Sequence, residues 1–304
     1  MKKKDKELRE LTSKRERVLE VDLLRGFPIF LVVLYHLCYD FIELPSIFAN
    51  YSTNIVNYPH LESLVGFCQS IMSNPIIHDY LVPLFAGMFL FACGVSSSLT
   101  RSNLKRGLIL ALVAVVLSLG SLGLSYLLNT DLFIIWGILH IMAFSILVYA
   151  VLELIITKVF RRRVHPLIPL AIGVVVLFAG LLLRQGVNID GEIIKWPNSD
   201  FSLGYNLKDT LTFKNLVQSA LGMSLNYVDW WPILPYSGVI FIGIAFGLAL
   251  YGEKKKSYMK KGRYQVLLKP IGFIGSHTIW VYLLHQPIII IVLGVVFLSL
   301  GFTL

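Results

Sequence analysis

Arg25, His36 and Asp40 lie within one apolar stretch, "LLRGFPIFLVVLYHLCYDF", where hydrocarbon offers them no solvent. On an α-helix each residue turns about 100° and rises about 1.5 Å. The eleven steps from Arg25 to His36 bring the two side chains back to within roughly 20° of one another, about 16 Å apart along the axis. Asp40 follows one turn later and Asp22 precedes Arg25 by three residues, so all four fall on one polar stripe. Such a stripe faces a protein interior or a wet cavity rather than lipid. Its chemistry would combine an imidazole base, a carboxylate able to orient that ring and a guanidinium able to hold an anion. Structural readings stand beside these. Arg25 could snorkel or pair with Asp22, and Asp40 could be solvated at the outer surface. His36 lies too deep for its short side chain to reach bulk water.

Two more histidines sit in apolar segments, His140 in "IIWGILHIMAFS" and His285 in "HTIWVYLLHQP", where Pro287 distorts the helix. Either could equally be a hydrogen-bonded bundle residue. No helix carries two histidines at i, i+4, so no metal is expected. Cys38, Cys68 and Cys93 have neither disulfide nor zinc spacing. No Walker loop, dinucleotide-type glycine loop or serine-hydrolase elbow occurs. The small residues of "FACGVSSSL" suit close helix packing.

The elements that must hold these groups are membrane helices. The chain is 56% hydrophobic and only 15% charged, well below the quarter or so of charged residues usual in soluble domains. Its apolar blocks are long enough to cross about 30 Å of hydrocarbon. The fold class expected is all-α, a polytopic bundle of seven spans: Asp22–Phe41, Tyr80–Leu99, Gly107–Leu128, Leu132–Ile156, Pro166–Arg184, Pro235–Tyr251 and Ser276–Leu300. The net charge of +9 does not point to nucleic acid, because the basic residues cluster between spans. Of 27 Lys and Arg residues, 22 fall in the N-terminal arm and in loops on one side, four fall on the other, and Arg25 lies within a span. The positive-inside rule then makes the N-terminus cytoplasmic and the C-terminus external. Residues 1–20 read as a cytoplasmic basic arm without a cleavable signal. Residues 21–304 read as one transmembrane domain with long outer loops at 42–79 and 185–234. In the first loop "LESLVGFCQSIM" has helical spacing and suggests an interfacial helix. Asn50-Tyr51-Ser52 is a formal glycosylation sequon of a kind common by chance.

Several segments together resemble a known family. "VDLLRGFPIFLVVLYH" resembles the opening of membrane acyltransferases, an arginine and a histidine separated by ten residues, matched by Arg25 and His36. "FLFACGVSSSLTR", "FIIWGILHIMAFS", "DWWPILPYSGVIFIGIAFG" and "GSHTIWVYLLHQP" follow in the order found in the heparan-α-glucosaminide N-acetyltransferase catalytic-domain family, bacterial branch. The resemblance implies an integral protein of a bacterial cell membrane. It would move acetyl from cytoplasmic acetyl-CoA to an extracytoplasmic amino sugar or other glycan. By that match His36, Asp40 and His285 are the candidate catalytic residues. Arg25, with Arg101, Lys105 and Arg106 in a basic loop, would hold the phosphates of the cofactor, and Asp229 and His140 would serve the acceptor. Lipids are the other expected partners, and a homo-oligomer is compatible with the sequence. Two other readings share the same residues, a proton-coupled secondary transporter and a glycan O-acetyltransferase.

The stripe makes a prediction at once. His36→Ala is expected to abolish acetyl transfer while the protein stays folded, whereas Arg25→Ala should mainly weaken acetyl-CoA binding, measured by calorimetry in detergent.

Overall fold

A computed structural model describes residues 18–128, 133–184, 187–189, 192–194, 213–222, 229–252, 257–258 and 264–303. The basic arm, most of the 185–234 loop and most of the basic run from Lys254 lie outside the described residues. The principal elements are helices α1 (Leu19–Glu43), α2 (Pro59–Met72), α3 (Val82–Leu99), α4 (Asn103–Leu128), α5 (Ile138–Leu154) and α6 (Leu167–Arg184), a two-stranded hairpin β1 (Val187–Ile189) and β2 (Glu192–Ile194), then α7 (Phe213–Leu221), α8 (Ile233–Tyr251), α9 (Tyr264–Ser276) and α10 (Thr278–Ser299). The protein is a polytopic helical membrane protein.

Among the described residues, six helical stretches are long and apolar enough to cross a membrane: Leu19–Ile47, Ile76–Leu99, Asn103–Leu127, Ile138–Lys158, Ile233–Tyr251 and Thr278–Ser299. The fifth expected span is α6, whose apolar part, Leu167–Leu182, is shorter. Large apolar side chains point outward, with Leu112 66% and Val175 67% exposed. Water would penalise that surface, whereas lipid accepts it. The "LESLVGFCQSIM" segment forms most of α2, which begins with Pro59 in its first turn, where a missing N–H costs nothing. Helix α9 is additional to the spans expected from the sequence.

The chain divides into two compact units, residues 1–89 with 256–304, and residues 90–255. In the first, α1 packs on α2, α9 and α10. The α1–α9 contact is a backbone seam, since a Cβ on Gly275 would collide with the carbonyl oxygen of Asp22 and one on Gly26 with that of Ile271. Small residues of this kind let membrane helices approach and gain dispersion energy. Helix α10 ends in a left-handed Gly301 (φ 81°), with Phe302 N–H bonded to Phe297 O (3.1 Å) and Gly301 N–H to Leu298 O (3.1 Å). This is a Schellman stop, closed by the Phe297–Phe302 ring contact at 5.0 Å. The residues beyond it dock on the first outer segment. The Asn50 amide donates to Gly301 O (3.0 Å) and accepts from Thr303 N–H (2.8 Å), and the Tyr58 hydroxyl donates to Leu300 O (2.6 Å). The sequon asparagine is therefore spent on an internal contact.

In the second unit α6 and α8 meet through Gly173 and Gly238, where a Cβ on Gly173 would stand 2.8 Å from the Gly238 carbonyl oxygen. The "FACGVSSS" segment of α3 packs as its small residues suggest, Gly94 lying against the backbone of Ile240. Helices α4 and α5 pair closely, with Gly107 against Leu147 and the Asn103 amide donating to Glu153 (2.9 Å).

The seam yields a contrast in sign. Gly275→Ala should lower the thermal midpoint in detergent by the equivalent of about 1–3 kcal/mol, the usual cost of overpacking. Gly120→Ala, where nothing lies within 4 Å of the new Cβ, should leave it unchanged or raise it through helix propensity.

Candidate active site

The first unit gathers the polar groups of α1 and α10. His36 on α1 and His285 on α10 stand side by side, ring centroids 5.0 Å apart. Asp40, one turn further along α1, is buried, which removes the solvated alternative. Its carboxylate accepts two bonds from the Gln286 amide nitrogen, at 2.8 and 3.0 Å. Among the described residues it makes no hydrogen bond to His36, so the expected orientation of that ring by Asp40 is replaced by a bond to the facing helix. The two helices thus meet in two layers, imidazole beside imidazole and carboxylate beside amide.

The tautomer of His285 follows from its surroundings. Its Nδ1 lies 2.6 Å from the carbonyl oxygen of Tyr282, which can only accept, so Nδ1 carries the proton. In the neutral ring Nε2 then holds a lone pair, and that atom is buried without a partner among the described residues. Gln286 Oε1 is in the same condition. A buried acceptor left unpaired costs about 1–3 kcal/mol, and Pro287, which lacks an N–H, also leaves the Leu283 carbonyl without its usual helical donor. Arg25 pairs with Asp22 on its own helix, as the structural reading held, so an anion reaching Arg25 must compete with that carboxylate.

In the second unit Arg106 donates to Ser97 Oγ, Cys93 O and Cys93 Sγ, each at 3.3 Å. These acceptors are uncharged, and no acidic residue lies within ion-pair distance of Arg106 among the described residues. Its charge therefore stays available to an anion, which fits a phosphate-bearing cofactor. Arg101 and Lys105 are exposed beside it in chain order at the start of α4.

His140 and Asp229 share one corner. The Gly137 N–H donates to His140 Nδ1 (3.2 Å), which leaves the proton of the neutral ring on Nε2. That nitrogen donates to Ser118 Oγ (2.8 Å), and the Ser118 hydroxyl donates on to Ile134 O (2.7 Å). Both ring nitrogens are engaged within the protein. Asp229 has a left-handed backbone (φ 53°), accepts from Trp231 Nε1 (2.8 Å) and places Oδ2 beside Gly137. Trp231 N–H completes the corner by bonding Trp136 O (2.7 Å).

Among the described residues no three His, Cys, Asp or Glu side chains gather as metal ligands, and no cysteine forms a disulfide. Burial, then the neighbouring Cys38 thiol, pushes Cys68 up to about 12, so it is a poor nucleophile at neutral pH. Gln286 and Ser118 are absent from the sequence-derived candidates. Gln286 was signalled only by its place between His285 and Pro287 in an otherwise apolar helix.

The membrane-length helices define a multi-pass membrane protein, one unit of which carries paired imidazoles and a buried carboxylate, and the other an arginine with no acidic partner among the described residues. The chain matches the family model described as heparan-alpha-glucosaminide N-acetyltransferase, catalytic, over residues 60–287, and it belongs to that family. The matched span contains Arg101, Lys105, Arg106, His140, Asp229, His285 and Gln286 and begins after Arg25, His36 and Asp40. Membership makes the chain a transmembrane acetyltransferase in the general sense, from a family whose acetyl donor is acetyl-CoA. No curated protein and no solved structure matches the chain significantly.

The Ser118–His140–Gly137 chain predicts a structural effect. His140→Ala should lower stability by about 1–3 kcal/mol by unpairing the Gly137 N–H and removing the bond that Ser118 Oγ accepts, read as a reduced thermal midpoint in detergent.

Proposed function

We propose that the protein transfers an acetyl group from cytoplasmic acetyl-CoA to the amino group of a sugar or other glycan on the opposite face of a bacterial cell membrane. The observation that carries this reading is the His36–His285 pair, with a lone pair held on His285 Nε2. The acceptor nitrogen loses its proton to an imidazole as it forms a bond to the thioester carbonyl carbon. The carbon–sulfur bond then breaks, and CoA leaves as a thiolate that takes a proton from the imidazolium. Two adjacent imidazoles serve either version of this reaction. One can hold the proton for direct transfer, or one can carry the acetyl group while the other moves the proton.

Arg106, with Arg101 and Lys105, is proposed to hold the cofactor phosphates, since its guanidinium has no acidic partner among the described residues to displace. Arg25 is proposed to contribute by exchanging its bond to Asp22 for a phosphate. On the acceptor side Asp229 is proposed to offer a carboxylate to hydroxyl groups of the glycan. His140 acts as a positioning residue there, through the Gly137 turn beside that carboxylate. The basic loops support the orientation, with the N-terminus cytoplasmic.

The test is acetyl transfer from acetyl-CoA to D-glucosamine by protein purified in detergent. His36→Ala and His285→Ala should each lower kcat by about a hundredfold to ten-thousandfold with the thermal midpoint retained. Acetylation of glucose at a comparable rate would turn the assignment to O-acetyl transfer. Proton-driven uptake in vesicles without acetyl-CoA consumption would replace it with transport.

A further inference from the structure

The two ends of the Gln286 side chain have different fates. A carboxylate only accepts, so the end that faces Asp40 is the NH2 group, held by both carboxylate oxygens. An amide is planar, so fixing its nitrogen also fixes the direction of its oxygen. That oxygen is buried and has no partner among the described residues. The preceding residue presents a second acceptor in the same state, the Nε2 lone pair of His285. Beside it, across the contact between α1 and α10, stands His36. Two adjacent lone pairs without donors are expensive to keep, and of the unpartnered buried atoms among the described residues only these two lie side by side next to the imidazole pair, where a donor-bearing substrate would satisfy both.

The geometry points to Gln286 as the residue that receives the acceptor substrate. Its Oε1 takes a hydrogen from the incoming amine while Asp40 holds the amide from behind. This rests on the acetyltransferase reading above. In it Asp40 is a positioning residue acting through Gln286, and the imidazole pair is left to handle the transferred proton. A site that spends a buried oxygen on a substrate hydrogen selects strongly for groups that carry one.

The experiment measures initial rates of acetyl transfer from acetyl-CoA to D-glucosamine by the full chain in detergent, varying each substrate. Gln286→Met keeps the length and removes the amide. Asp40→Asn combined with Gln286→Glu restores an amide–carboxylate pair with the roles exchanged and still leaves an oxygen for the substrate. Gln286→Met is expected to raise the glucosamine KM about tenfold, the loss of one hydrogen bond, and to leave the acetyl-CoA KM within about twofold. The double variant should return the glucosamine KM to within about threefold of wild type. An unchanged glucosamine KM in Gln286→Met, a parallel rise in both KM values, or a double variant as impaired as Gln286→Met overturns the inference. If Gln286→Met fails to fold, Asp40→Asn takes its place: the Gln286 oxygen can then turn to the Asn NH2 group, so the glucosamine KM should rise about tenfold, and an unchanged value overturns the inference. A wild-type protein that transfers no acetyl to glucosamine overturns the underlying reading, and that failure is visible before any variant is made.

Discussion

Hydrocarbon supplies no hydrogen bonds, so each polar side chain placed in it must find its partner on another part of the protein. That constraint accounts for the pairings of this structure. Asp40 takes both oxygens to Gln286, Arg25 takes Asp22, and His140 takes Ser118 and Gly137. Amide and imidazole side chains are short, so these bonds require close helices. Close backbone approach is also seen at the α1–α9 and α6–α8 seams, where glycines line both helices. Among the described residues the constraint is left unmet at five buried atoms, Asn103 Oδ1, Trp136 Nε1, Ser145 Oγ, His285 Nε2 and Gln286 Oε1, and the last two fall together beside the imidazole pair. Real proteins break local rules mostly at working sites.

The two units solve the same problem with different chemistry. In the first, histidine, carboxylate and amide face one another across α1 and α10. In the second, arginine leans on neutral acceptors of α3, and a left-handed aspartate is braced by tryptophans. Both guanidinium groups keep their charge, but the field of Arg25 is offset by the Asp22 carboxylate, whereas that of Arg106 meets only a hydroxyl, a thiol and a carbonyl, which sets Arg106 apart from Arg25 as a place for an anion.

Much of this was legible along the sequence because it depends on one helix at a time. Apolar length marked the spans, and the eleven-step spacing put Arg25 and His36 on one face. The small residues of "FACGVSSS" signalled tight packing. What periodicity cannot carry is which helix faces which. Gln286 lies 246 positions from Asp40, so nothing near Asp40 in the sequence announces its partner, and the i, i+4 rule pointed instead to His36. Helix α9 escaped notice because basic residues precede it and Pro270 interrupts its pattern. His140 read as an isolated polar group in an apolar helix. Its role depends on a backbone N–H three residues earlier and a hydroxyl on α4, a local cap that composition does not reveal.

The first unit is assembled from both ends of the chain, residues 1–89 and 256–304. During synthesis α1 is complete long before its partners on α9 and α10 exist. At about 5–20 residues per second the stretch between α1 and Gln286 takes roughly ten to fifty seconds to emerge. Throughout that interval His36 and Asp40 have neither His285 nor Gln286, and Asn50 is not yet covered by the turn at Gly301. The newborn helix is therefore a poorly satisfied guest of the membrane. That waiting period, rather than the finished fold, is when a chaperone, an insertase or a modifying enzyme would find these residues accessible.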